Sequence, residues 1–507
     1  MSLSRTYCVT LLGVQGHIVE VEVHLGGGDP GVTLVGLPDA ALREARDRIR
    51  AAVANSSESW PSGQITISLS PASLPKSGSL FDLAIAGAVL SAAGEVPVDR
   101  LADSVLIAEL GLDGRARPVR GVLPAIVSAA EQGFKRFVVA AGNAAEARLV
   151  PDVEVTAVAD LAQLCDWLRG AEVPRPPDQE PDPAAAAPTD RGPDLADVLG
   201  QPVARRAVEI AAAGGHNLMM LGPPGTGKSL LAERLPTVLP ALSPAEALEA
   251  TAIHSVAGLL PPGAPLVTVP PFAAPHHTSS RASIIGGGHG NPQPGWVSKA
   301  HHGILFVDEA PQFGRGVLDS LREPLERGEV VIARASSTVA FPARFQLVMA
   351  ANPCPCAKPG NLCTCPAGER RRYFSRLSGP LLDRIDLKVE LQPVARAELL
   401  ADRAFAESSE TVAARVAQAR DRARERLEHT PWNTNAAIPG ARLRRDFPVE
   451  QAALRVLGRA MDRGQISARG VDRALRVAWT LADLAGRDRP GEEDTAYAYA
   501  LWSGRAW

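Results

Sequence analysis

Gly222-Pro-Pro-Gly-Thr-Gly-Lys-Ser229 is the stretch on which the fold turns. It fits G-x-x-x-x-G-K-[ST] at every fixed position, follows the apolar run Asn217–Leu221 and opens a helical pattern, the context this motif requires. The glycines let backbone N–H groups close around phosphate oxygens, and the helix N-terminus adds a favourable dipole. The loop Gly222, Pro223, Pro224, Gly225, Thr226 and Gly227 is thus expected to cradle ATP. Lys228 is placed to reach the β- and γ-phosphates, and the Ser229 hydroxyl to ligate Mg²⁺.

Working outward, Ile304-Leu-Phe-Val-Asp-Glu309 reads as a buried strand delivering two carboxylates at its C-terminal edge, where ligands bind in open α/β sheets. Asp308 is expected to hold Mg²⁺ through water, and Glu309 to orient and deprotonate the attacking water. Asn352, just past a strand over Phe345–Ala350, is placed to touch the γ-phosphate or that water. Positive charge on the developing γ-phosphate is also needed. Arg384, in Leu381-Leu-Asp-Arg-Ile-Asp386, and Arg469 are lone arginines whose candidate roles, a finger acting in trans and a cis contact from a helical lid, rest on a family resemblance. A helix over Val203–Ala213 and strands alternating with helices predict a parallel, doubly wound sheet. Beyond about residue 393, Gly and Pro thin out and helical Arg/Ala/Leu patterns run to the C-terminus.

At 507 residues the chain is too long for one core. Its net charge of −3 removes whole-chain basicity as an argument for nucleic acid, so any such surface is local. No signal pattern opens the sequence and no apolar run approaches the roughly 20 residues that span a bilayer, so a cytoplasmic protein without membrane contact is expected. The longest apolar stretch, Phe81–Gly94, suits a buried core helix. Residues 171–193 hold seven Pro with many acids and almost no large apolar side chain, the composition of a linker. The expected division is a compact α/β domain over 1–170, this linker, an ATPase core over 194–392 and a helical lid over 393–507.

The strings Gly222–Ser229, Ala274-Pro-His-His-Thr278, Gly303–Glu309, Leu321-Arg-Glu-Pro-Leu325 and Asn352-Pro-Cys-Pro-Cys356 resemble the YifB/ComM family of bacterial proteins. Its AAA+ module is similar to the magnesium-chelatase ATPase subunit. The resemblance implies an α/β fold: an AAA+ P-loop NTPase core with a C-terminal helical lid, preceded by an α/β Lon-protease-like domain. It further implies a homo-hexameric ring acting on DNA, single-stranded or branched, as an ATP-driven branch-migration motor of recombination or natural transformation. Asn352 then matches the sensor-1 position, Arg384 the finger, and Arg469 the lid sensor, with Arg473 a competing choice. A hairpin over Glu329–Pro342 would point into the pore, with Arg334 near its tip against a phosphate backbone. The rival reading is a chaperone-like or metal-insertion ATPase indifferent to DNA.

Cys354-Pro-Cys356 and Cys363-Thr-Cys365 offer four thiolates close enough in sequence to enclose one tetrahedral, structural Zn²⁺. Arg370, Arg371, Arg372 and Arg376 follow as a basic patch facing DNA, a neighbouring subunit or solvent. Seven of the ten His lie between His216 and His302, but adjacent His such as His301 and His302 seldom converge on a metal from a strand or helix, so no second metal site is expected. In the N-terminal region Pro75–Ala84 and Ala108–Arg115 resemble the Lon-protease fold, with Ser77 or Ser79 as stand-in nucleophile. Where the catalytic Lys should follow Gly-x-Leu, Gly121-Val-Leu123 is followed by Pro124, and only Lys135 lies near. A Ser without an activating base is a weak nucleophile, so proteolysis is not expected.

Overall fold

Period-two alternation builds the N-terminal half. Strand β1 (Ser2–Leu12) turns through Gly13 and Val14 into β2 (Gln15–Gly26), paired antiparallel from Ser2–Leu25 to Leu12–Gln15. Gly13 has φ 70°, which a two-residue hairpin loop needs. The computed structural model describes residues 2–504 apart from 37–38, 77, 174–192, 262–265, 289–291, 335–337, 359–361 and 395–405. Most of the expected linker, and Ser77, thus lie outside the described residues.

With β3 (Gly31–Val35), β4 (Gln64–Ser70), β5 (Ser104–Ile107), β6 (Arg136–Ala140) and β7 (Glu154–Val158), these strands form a seven-stranded mixed sheet in the order β3-β4-β2-β1-β5-β6-β7. Helix α1 (Ala40–Asn55) starts at Asp39, whose carboxylate caps Leu42 N. Helix α2 (Asp82–Ala93), the apolar stretch of the sequence, is buried along almost its whole length. Asp82 inside it is ion-paired with Arg48 at 2.9 Å, and burial nevertheless pushes its carboxyl up to about 6. Helix α3 (Val122–Glu131) carries Pro124 in its first turn, where the missing N–H breaks no helical hydrogen bond.

The second sheet has near-continuous apolar strands because helices cover both faces. Helix α4 (Pro202–Gly214), strand β8 (Leu218–Leu221), helix α5 (Lys228–Val238), helix α6 (Pro244–Ala257) and strands β9 (Phe272–Ala273) and β10 (Ile304–Val307) follow in turn. A hairpin of β11 (Glu329–Ala333) and β12 (Thr338–Pro342) precedes β13 (Gln346–Ala351), helix α7 (Ala367–Phe374) and β14 (Leu387–Glu390). All five strands of the main sheet are parallel, in the order β9-β10-β13-β8-β14. Their C-terminal ends therefore share one edge and their N-terminal ends the other. The last described portion is helical: α8 (Ser409–Leu427), α9 (Gln451–Asp462), α10 (Ala468–Leu484) and α11 (Glu492–Ser503).

The two halves touch through α3 and α6. Gly121 N donates to Ser255 Oγ at 2.9 Å, and Ser255 in turn donates to the buried Glu146 carboxylate. Leu248 and Ala252 of α6 pack on the N-terminal core beside Leu123 and Ile126. At the β1–β2 turn, a Cβ added to Gly13 would lie 2.6 Å from Val339 Cγ1 and 2.9 Å from Ala340 O of β12.

Candidate nucleotide-binding site

At the C-terminal edge of the parallel sheet, Gly225 and Gly227 take φ of 77° and 91°, conformations that only glycine adopts without strain. The loop turns directly into α5 at Lys228. Lys228, 7% exposed, donates from Nζ to Gly222 O at 2.7 Å, Pro223 O at 2.8 Å and Asn352 Oδ1 at 3.2 Å. Burial lowers its pKa, against the opposing pull of Asp308 and Glu309. Ser229 Oγ donates to Asp308 Oδ2 at 2.8 Å. Strands β8, β10 and β13, adjacent and parallel, thereby bring Lys228, Ser229, Asp308 and Asn352 into two linked pairs. An ammonium held by neutral carbonyls can exchange them for phosphate oxygens. A hydroxyl beside a carboxylate is a hard-oxygen pair suited to Mg²⁺.

Glu309 leaves β10 with φ 48°, and His277 Nδ1 stands 3.6 Å from its carboxylate. The sequence marked His277 only as part of Ala274–Thr278 and did not pair it with Glu309, because β9 and β10 are neighbours only in the folded sheet.

The cis contact expected of Arg469 is not made. Arg469 is exposed and lines a cavity of about 750 Å³ together with Arg384, Arg473, Asn217, Gln346 and Asp386. Those last three residues stand at the N-terminal ends of β8, β13 and β14, across the sheet from the P-loop. The physical reason is the seat of α10. Arg473 donates to the buried Asp386 at 2.5 Å, and His216 Nε2 meets Thr480 Oγ1 at 2.8 Å. Arg473, His216 and Arg476 hold the Asp386 carboxyl well below the usual range despite its burial. Arg384 is ion-paired with Glu326, while its buried Nε has no partner among the described residues.

Family models describe three parts of this architecture. Magnesium chelatase, subunit ChlI, matches residues 194–399; subunit ChlI of Mg-chelatase matches 21–143; and the ChlI C-terminal model matches 406–501. Competence protein ComM of Haemophilus influenzae is 40% identical over 500 residues, covering 96% of this chain and 95% of that protein. This chain belongs to the YifB/ComM family. Protein YifB of Escherichia coli is likewise 40% identical over 496 residues, and an uncharacterised protein of Mycobacterium tuberculosis is 52% identical over 504, 99% of both chains. The fold is that of a magnesium-chelatase-like AAA+ core with an α/β N-terminal region and a helical C-terminal region. Among the described residues no helix is long and apolar enough to cross a membrane.

Immediately past Asn352 in this YifB/ComM chain, the Sγ atoms of Cys354, Cys356, Cys363 and Cys365 all lie within 4.8 Å of one another. The separations of 3.2, 3.4 and 3.8 Å among three of them approach the roughly 3.8 Å edge of a tetrahedral zinc–thiolate site. Four soft donors with no open position fit a structural Zn²⁺. The Lys358 backbone N–H pulls Cys356 down to about 6, while burial pushes Cys354 up to about 12. Arg370, Arg371 and Arg372 are exposed beside this loop, and Arg376 donates to Pro311 O at 3.0 Å.

The hairpin is present, and Arg334 donates to Gly288 O at 2.5 Å rather than standing free. His301 and His302 do converge, contrary to expectation: His302 has φ 57°, which turns both rings to Glu249, at 3.0 and 2.8 Å. Their arrangement still disfavours a metal. His301 Nδ1 accepts from Arg344 N at 3.0 Å, so Nε2 carries the proton given to Glu249 and offers no lone pair. Burial, then the neighbouring His302, push His301 down to about 4. In the N-terminal sheet, Ser79 donates to Glu109, not to an amine. A lysine does lie close in sequence, Lys76, but it is buried and donates to Pro71 O.

Proposed function

We propose that this chain is an ATP-hydrolysing motor that works on DNA as a ring of identical subunits, promoting branch migration in recombination or natural transformation. The observation that carries the reading is the pairing of Lys228 with Asn352 and of Ser229 with Asp308, with Glu309 beside them at one sheet edge. The near full-length likeness to a competence protein supports DNA as the substrate on which the motor acts. Ser229 and Asp308 would hold Mg²⁺, which supplies charge neutralisation at the phosphate oxygens. Lys228 takes the β- and γ-phosphates, Asn352 the γ-phosphate or the water, and Glu309 the proton of that water. Arg384 and Arg469, across the sheet from their own P-loop, serve the site of the next subunit, which is why a ring follows from this reading. Cys354, Cys356, Cys363 and Cys365 hold one Zn²⁺ that fixes the loop following Asn352.

The test is steady-state ATP hydrolysis by the full chain with and without single-stranded and four-way-junction DNA. Stimulation by DNA that Lys228→Ala abolishes is expected. Lys228-dependent hydrolysis unmoved by DNA would sink the DNA motor and favour a protein-remodelling or metal-insertion ATPase. The latter reading has its own support in the 25% identity, over 210 residues, to the magnesium-chelatase 38 kDa subunit of Cereibacter sphaeroides.

A further inference from the structure

Glu309 is the one member of the site outside the paired network. Its carboxylate takes no hydrogen bond from any described residue, and its described ion-pair partner is His277 Nδ1 at 3.6 Å. The juxtaposition is built by the sheet. Strands β9 and β10 run parallel in the register Phe272–Ile304 and Ala273–Leu305, so their chains leave the same edge side by side. His277 stands four residues past Ala273, as Glu309 stands four past Leu305. His276 backs the imidazole at 4.1 Å between ring centroids, and is itself held through Nδ1 by the Thr278 hydroxyl at 2.8 Å. A carboxylate that must take a proton in one geometry needs a third group to orient it. Among the described residues the imidazole is the one ion-pair partner of the Glu309 carboxylate.

We propose that His277 is a positioning residue for Glu309, an assignment that rests on the ATPase reading above. Its Nδ1–H closes on one carboxylate oxygen and leaves the other aimed at the attacking water. A separation of 3.6 Å is longer than a hydrogen bond, and catalytic contacts of this kind shorten when the substrate complex forms. In the step itself the water oxygen bonds to the γ-phosphorus, its proton passes to Glu309, and the bond from that phosphorus to the bridging oxygen breaks with ADP leaving. His277 neither gains nor loses a proton.

Three substitutions in the full chain separate position from bulk. His277→Asn puts an amide N–H where Nδ1 stands, His277→Gln puts it where Nε2 stands, and His277→Ala removes it. Steady-state ATP hydrolysis should show kcat falling about tenfold or more in the Ala and Gln variants, with KM for ATP within about twofold. The Asn variant should keep kcat within about threefold of wild type. Binding of a fluorescent ATP analogue should be unchanged in all three. Wild-type kcat in His277→Ala, an Asn variant as impaired as the Gln variant, or a loss confined to KM would overturn the assignment. Should His277→Ala not fold, the Asn and Gln pair decides alone. Hydrolysis that survives Lys228→Ala would instead strike the ATPase reading, so the two failures are distinguishable.

Discussion

The two sheets of this protein use the same ingredients to opposite ends. Both are covered by apolar helices, and both bury a carboxylate beside an arginine, Asp82 with Arg48 and Asp386 with Arg473. In the parallel sheet, five strand ends share one edge and deliver Lys228, Ser229, Asp308, Glu309 and Asn352 to it. The N-terminal sheet also runs six of its seven strands one way, β2 alone being reversed, yet among the described residues its strand ends carry no phosphate-binding loop. Its Ser79 meets an acid and its Lys76 a backbone carbonyl. The side chains that the strand ends carry, more than strand direction, separate the two sheets.

The comparison breaks most severely at the P-loop. Lys228→Ala should bring ATP hydrolysis to background, whereas Ser79→Ala should leave it at the wild-type rate; steady-state phosphate release checks both. A Ser79→Ala variant that lost hydrolysis would show that the N-terminal sheet is not chemically silent. Next is the trans assignment. Arg384→Ala should lower kcat by about 10³-fold. Mixing it with the equally inactive Lys228→Ala chain should restore part of the activity, because some sites then combine an intact P-loop with an intact arginine. Mixtures as dead as their components would return Arg384 to a structural role.

Smaller effects sharpen the contrast between the two buried carboxylates. Asp386→Asn leaves Arg473 and His216 without their anion, and should cost about 3 kcal/mol in chemical denaturation at pH 7. Because the folded pKa of Asp386 is depressed, its stabilisation is fully present above the unfolded value near 3.9 and lost as pH falls through the folded value. Asp82 has the opposite sign. Raised to about 6 by burial, it binds its proton more tightly when folded, so its contribution weakens the fold as pH rises from about 4 to about 6. Asp82→Asn relieves that burial but orphans Arg48, and should change stability at pH 7 by about 1 kcal/mol or less. Its diagnostic is a flatter melting profile between pH 4 and 6 than wild type, approximately the range set by the two pKa values.

Much of the parallel sheet was legible because phosphate chemistry demands fixed residue types at fixed spacing. Gly222–Ser229 sits in one loop, and Asp308 and Glu309 end an apolar run. The four cysteines were legible for the same local reason. What escaped depends on tertiary placement. Nothing in Ser467-Ala-Arg469 says which edge of the sheet α10 covers. That is set by Arg473 reaching Asp386. The meeting of His301 and His302 follows from one backbone angle, φ 57° at His302. The pairing of His277 with Glu309 was not legible because strand adjacency is not written in chain order.

The β1–β2 turn has a mechanical meaning. With Gly13 against Val339 and Ala340, and Gly121 bonded to Ser255, the two halves are joined at two separate places. The missing side chain at Gly13 is what lets this turn and the β11–β12 hairpin come so close.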